Sequence, residues 1–252
     1  MNWSALDLAI LGPAFIAGLL VLATHVPLGI QVLERGIVFI DLAIAQIAGL
    51  GVIAADMMGW PPQGIEVQVA AVSAALLGAA ALTWAEKRAG AMQEAIIGVT
   101  FVLAACAGIL LLSSNAHGGE HLRELLVGQI LWVNTVQLLA LAAVTVVILP
   151  LWLARGTRLG RFGFYALFAV AVTASVQLVG VYLVFSSLII PALVSSGLSG
   201  RRRHFFGYGV GAAGYALGLA ASALFDLPSG AVVVWALALC AIAGMPLRAR
   251  AA

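Results

Sequence analysis

Charge is what this chain lacks. Its 252 residues hold 12 Lys and Arg and 10 Asp and Glu, so only 9% are charged, against about 25% in an average soluble domain. So few charges cannot cover a soluble globule of this size. The shortage excludes a nucleic-acid partner, which would demand a basic footprint, and a disordered segment, which would be built from polar residues. Cysteine is scarce too. Cys106 and Cys240 lie far apart with no Cys-x-x-Cys pairing, which excludes a disulfide scaffold; both sit in apolar stretches and read as buried structural residues. There is no Gly-x-x-x-x-Gly-Lys-Ser/Thr phosphate loop, no His-Glu-x-x-His and no Gly-x-Ser-x-Gly, so the chain carries no recognisable means of hydrolysing a nucleotide or a peptide. It does not read as an enzyme. Residues Met1 to Asp7 contain no Lys or Arg and no signal-peptidase site follows, so the first apolar stretch is expected to stay as an anchor.

What is present is hydrophobicity: 63% of the residues, with a mean hydropathy of +1.13. This is the composition of an integral membrane protein surrounded by lipid. A hydrocarbon core of about 30 Å needs about 20 apolar residues per helix, and breaks in the pattern give spans at 8–33, 37–58, 66–85, 93–114, 126–153, 162–183, 205–224 and 229–246. The stretch 184–199 is shorter and interrupted by Pro191, so it reads as a broken helix or a ninth crossing packed inside protein, where its loosened backbone is sheltered from lipid. The expected fold is an all-α polytopic membrane protein of eight or nine transmembrane helices, one broken near Pro191. A single domain covers 1–252.

The basic residues test that layout. They fall in clusters at Arg35; Lys87 and Arg88; Arg155, Arg158 and Arg161; Arg201, Arg202 and Arg203; and Arg248 and Arg250, with Arg123 apart. If 184–199 returns across the membrane, every cluster but Arg123 shares one side. The positive-inside rule makes that side cytoplasmic, leaving the N-terminus outside and the C-terminus inside, with outer loops at 59–65, 115–125 and 225–228. In the span 205–224, Gly207, Gly211, Gly214 and Gly218 form a smooth stripe suited to close helix packing.

Polar groups inside a span are costly and mark functional candidates. In the first hairpin, around the turn Leu33-Glu34-Arg35-Gly36, His25 lies about ten residues before the turn and Gln46 about eleven after it. At about 1.5 Å per residue they are expected at matching depths, with Asp41 nearer the turn. An imidazole, an amide oxygen and a carboxylate suit a divalent cation such as zinc or manganese. The alternative is structural: His25 bonding a carbonyl and Asp41 bracing a helix end. A second candidate is the outer loop, where His117, Glu120 and His121 could bind zinc loosely, although Gly118 and Gly119 point to an irregular, solvated loop. Ser186, Ser187, Ser195 and Ser196 have no nearby base and are expected to satisfy backbone groups around Pro191.

Several segments, in order along most of the chain, resemble the membrane permeases of zinc/manganese-type ABC importers. They are Pro27-Leu28-Gly29; Glu86-Lys87-Arg88 followed by Glu94-Ala95-Ile96-Ile97-Gly98; Gly180-Val181 with Ser187-Leu188-Ile189-Ile190-Pro191-Ala192; and Asp226-Leu227-Pro228-Ser229-Gly230. The family usually has Asp followed four residues later by His in its second span; here Asp41 matches, the +4 position is Ala45, and Gln46 follows. The loop 155–161 is short and glycine-containing where the family carries a coupling helix. The resemblance implies a permease of the bacterial inner membrane. It would form a homodimer and bind a cytoplasmic ATP-binding subunit and an external metal-binding protein. It would hold no permanent cofactor and pass a divalent metal ion, zinc foremost. Other readings are a manganese or iron permease, an ATPase-independent carrier, and a membrane anchor. A carrier would show matching broken helices in both halves, and only one broken segment is visible.

Overall fold

In a computed structural model, which describes residues 6–61, 64–89, 92–113, 118–155 and 159–251, the chain is built of helices and turns. Helix α1 (Leu8–Arg35) begins where the Asp7 carboxylate accepts the Ala9 amide at 2.8 Å, an N-cap that satisfies a free backbone donor. It ends where Gly36, at φ 68, returns its N–H to Leu33 and Val32, the left-handed exit that glycine adopts without cost. Then come α2 (Ile40–Met57), α3 (Ile65–Ala89), α4 (Gln93–Leu112), α5 (Gly118–Val127), a 3₁₀ turn Ile130–Trp132, α6 (Thr135–Arg155), α7 (Arg161–Val194), α8 (Gly200–Phe225) and α9 (Ser229–Ala251). Eight of these, all but α5, are long and apolar enough to cross a membrane. The all-α polytopic expectation holds.

The largest departure from the sequence-based expectation is in α7. Its helix is interrupted at Gly180 (φ 78, ψ 162), while Pro191 sits inside the second segment. Contacts on either side of Gly180 show that the chain turns back there. Before it, Phe164 lies beneath the Arg35 guanidinium at 4.1 Å, and Gln177 bonds Gln68 near the start of α3. After it, the Ser187 hydroxyl meets the Tyr215 hydroxyl at 2.8 Å, and Gly207 approaches the Pro191 carbonyl. Residues 181–194 therefore descend toward the end of the molecule from which 161–179 rose. Around Pro191, Ser195 Oγ donates to the Pro191 carbonyl at 2.8 Å, and Ser187 Oγ donates to Leu183 O at 2.6 Å. These serines do serve the backbone.

The turn at Gly180 is possible because it is sealed by another backbone. A Cβ on Gly180 would overlap Gly128 and Val127, one on Gly128 (φ 70) would overlap the Val179–Gly180 peptide, and one on Gly230 would overlap the Val127 carbonyl. Gln129 N–H donates to Leu178 O at 3.2 Å across the same crossing. Lipid offers no partner for an interrupted ladder, so this protein cover is a requirement.

Two further differences concern α4 to α6. The expected span at 126–153 starts only at Thr135, because Asn134 and Gln137 cap the helix reciprocally: Gln137 N–H donates to Asn134 Oδ1 at 2.9 Å and Asn134 N–H to Gln137 Oε1 at 3.0 Å, a capping box in amide form. The segment 115–125, expected to be an outer loop because of Gly118 and Gly119, is helical from Gly118 onward, as α5. Cys106 faces outward from the bundle because α4 is peripheral; a thiol is apolar enough to need no burial in protein when lipid surrounds it.

Helix α7 is the centre of the molecule, 72% of its apolar stretch being buried, against 17% for α6. It packs on α1, α2, α3, α5, α6, α8 and α9. The glycine stripe of α8 serves two neighbours: Gly207 and Gly211 admit Val26 and Leu22 of α1, and Gly214 and Gly218 admit Leu237 and Val233 of α9. Arg35, Arg161 beside Glu86 (3.6 Å) and Arg203 beside Glu34 (2.5 Å) gather at one end. Basic clusters assigned to one side thus share an end of the bundle.

Substituting Gly180→Ala adds both a left-handed φ penalty and a backbone overlap, and is expected to cost more than about 3 kcal/mol. Gly36→Ala has the same sign of φ in open space and is expected to cost about 1–2 kcal/mol. Thermal unfolding of the two purified variants in detergent checks the order; equal losses would mean that the crossing adds nothing.

Candidate functional site

Asp41 stands in the first turn of α2, is 0% exposed, and neither carboxylate oxygen has a hydrogen-bond partner. The turn that positions it, 36–39, is fixed at its far side by Phe39 N–H donating to Glu94 Oε1 at 3.1 Å. The N-terminal end of a helix favours an anion, but that field does not replace direct partners, and a buried carboxylate without them is costly. A cation is the natural complement.

His25, mid-way along α1, is also 0% exposed. Its Nδ1–H donates to Val21 O at 2.9 Å, with Thr24 Oγ1 3.0 Å away. That bond assigns the tautomer and leaves the lone pair on Nε2, which has no partner. This is the preparation seen in metal-binding imidazoles, where the second nitrogen fixes the ring.

The two groups are not brought together. α1 packs on α6, α7 and α8, whereas α2 packs on α3, α4 and α7, so α7 stands against both. The expected depth match fails because the turn 36–39 takes four residues. Gln46 is only six residues into α2, about 9 Å, while His25 is ten from the end of α1, about 15 Å. Gln46 is half-buried and instead lines a closed cavity of about 10 Å³ with Gln177 of α7. Gln177 and Thr173, one turn apart on α7, carry a buried amide nitrogen and a buried hydroxyl without partners. Neither residue stood out in the sequence; the signal was a polar side chain inside a long hydrophobic run.

Of the outer-loop candidates, His117 lies outside the described residues. Glu120 and His121 fall in the first turn of α5, so the irregular loop expected there is helical from Gly118 onward. Among the described residues no three His, Cys, Asp or Glu side chains come together. At the same end of the molecule as α5, a cleft of about 630 Å³ opens between Arg123, Gln129, Trp132, Asp226 and Leu227.

A lipid-embedded bundle with a turned-back central helix, a bare buried carboxylate and polar groups along the helix seams defines a membrane-embedded subunit of a transporter. The sequence matches the ABC 3 transport family over residues 7–159 and 156–248. The chain belongs to that family. Its fold is similar to a chain of PsaBC from Streptococcus pneumoniae in complex with Fab (TM-score 0.76, 21% identity, covering 92% of this chain and 90% of that one). It is also similar to a chain from a structure described as the inward-facing conformation of a metal-chelate type ABC transporter (TM-score 0.69, 18% identity, 93% and 83%).

Asp41→Asn replaces the bare carboxylate with a neutral amide, so the isolated protein is expected to melt at the same or a higher temperature than the parent. A fall of more than about 4 °C, on the order of 1–2 kcal/mol for a chain of this size, would reveal a structural partner for the carboxylate.

Proposed function

We propose that this protein is the permease subunit of an ATP-driven ABC importer for divalent metal ions, with zinc as its first substrate. The observation that carries the reading is Asp41: a fully buried carboxylate with both oxygens free, inside the membrane span of an ABC 3 family chain. The transporter similar in fold that is described as metal-chelate type supports the substrate class. The buried imidazole of His25, with Nε2 free, favours zinc over the harder manganese and iron, which remain the second reading.

In this mechanism the chain holds no ATPase of its own. A separate ATP-binding subunit docks at the arginine-rich end, which the positive-inside rule places in the cytoplasm, and an external metal-binding protein docks at the opposite end, over the cleft beside Arg123 and Asp226. Two copies of the permease form the working unit in the bacterial inner membrane. ATP binding and hydrolysis by the partner switch the helices between outward- and inward-open states. Asp41 compensates the cation's charge as it sheds water. His25 supplies a neutral nitrogen on the other side of α7, reached at a different stage from Asp41. Ligands this sparse bind weakly, as release requires.

Zinc uptake in cells lacking their own importer, with the ATPase and binding protein co-expressed, tests the reading. The parent chain should restore uptake, Asp41→Asn should reduce it by at least about tenfold, and His25→Ala by less. Uptake unchanged in both variants would remove the site. Orientation is checked by single cysteines in a Cys-free background: Met58→Cys and Leu227→Cys should react with an impermeant maleimide on intact cells, and Ser199→Cys only after lysis. The reverse pattern would overturn the topology.

A further inference from the structure

Along the seam where α2 packs on α7, polar groups recur that the fold does not use. Elsewhere in the bundle a buried hydroxyl is returned to its own helix: Thr83 Oγ1 to Ala79 O, Thr145 Oγ1 to Leu141 O, and Ser175 Oγ to Ala171 O, all at 2.7–2.9 Å. Thr173, two residues from Ser175 and 0% exposed, makes no such bond. One turn further, Gln177 accepts from Gln68 Nε2 at 2.5 Å through Oε1, while its Nε2 is buried and bare. Residues four apart lie on one helix face. An unsatisfied buried group in a native fold calls for an explanation.

The facing helix supplies the rest. Gln46 and Ala45 of α2 line the same cavity as Gln177, and Asp41 precedes Ala45 by one turn. Both α2 and the first segment of α7 rise from the arginine-rich end, so they run parallel. Asp41 is five residues below Gln46, and Thr173 four below Gln177, about 6–8 Å in each case. The seam thus has a lower level at Asp41 and an upper level holding Gln46 and Gln177, with Thr173 between them.

We propose that Gln177 of α7 and Gln46 of α2 form a second, neutral station for the transported cation, one turn outward of Asp41, with the Thr173 hydroxyl on the step between the two levels. The inference rests on the metal-permease reading and extends it to this seam. Its donors are oxygens, two amide carbonyls, and the step adds a hydroxyl. Amide oxygen and nitrogen are assigned from their surroundings. Turning Gln68 and Gln177 over together preserves their mutual bond and points the Gln177 oxygen into the seam. Neutral donors suit a partly hydrated divalent ion that must be passed on, and they leave the full charge on the seam to Asp41. The cavity holds about one water-sized sphere, so the ion occupies the station when α2 and α7 part during the transport cycle. Gln68 stands outside the station and only braces Gln177.

The experiment is uptake of zinc alone and of manganese alone by the full complex in cells. Gln177→Leu, Thr173→Val and Gln68→Leu are compared with the parent and Asp41→Asn, with complex yield and melting temperature recorded for each. Gln177→Leu is expected to lower uptake by about tenfold and Thr173→Val by severalfold, at parental complex yield. Gln68→Leu should keep at least half. Parental uptake in Gln177→Leu and Thr173→Val, with Asp41→Asn inactive, would overturn the station alone. A loss in Gln68→Leu as deep as in Gln177→Leu would also overturn it, showing that the amides merely tie α3 to α7. Absence of uptake by the parent would overturn the metal-permease reading beneath it.

Discussion

Hydrocarbon offers no hydrogen bonds, and a helix that breaks inside a membrane protein must therefore break against protein. Here the break at Gly180 lies against the peptide at Gly128, with Val127 held in turn by Gly230. Three glycines, far apart in sequence, let three backbones meet at one point. The end of α5, the reversal of α7 and the start of α9 are all fixed by that crossing. Because α7 touches nearly every other helix, the crossing sets where the two faces of α7 lie: one toward α1 and α8, the other toward α2 and α3.

Those two faces separate the polar groups that the sequence suggested were neighbours. His25 belongs to the α1 side and Asp41 to the α2 side, each with an unused atom pointing at no protein partner. The fold tolerates this without a compensating ion pair. Among the described residues, ion pairs form at the arginine-rich end, where Arg203 meets Glu34 and Arg161 meets Glu86, and where each charge retains some access to water. Stability is thus carried by small-residue packing, as expected where lipid removes any hydrophobic drive between helices, and the buried polar atoms are left available.

Hydropathy made the membrane class and the spans legible, because each helix must bridge the same thickness. The clustering of basic residues foretold that 184–199 comes back, and the structure agrees. The place of the break was misjudged: proline is the conspicuous helix breaker, but the helix runs on through Pro191, which removes one hydrogen bond and keeps a helical φ, while Gly180 breaks it through a φ no other residue adopts cheaply. The start of α6 was missed because the Asn134–Gln137 cap uses amides in place of the usual hydroxyl and carboxylate. The convergence of His25, Gln46 and Asp41 was inferred from adjacency in the chain, and a long helix inserted between neighbours is invisible to that reasoning. Thr173 and Gln177 are anomalous only once their neighbours in space are known.

The second segment of α7 has one more consequence, for how the protein is made. Its 14 residues reach about 21 Å, well short of a hydrocarbon core of about 30 Å. It contains a proline and three of its close partners, Gly207, Tyr215 and Gly29, belong to other helices. Such a segment is apolar but too short to span lipid by itself. Its final position can be taken up only after α8 has emerged and closed against α1. Assembly of this protein therefore includes a late step, in which the short returning segment is captured by the helix synthesised after it.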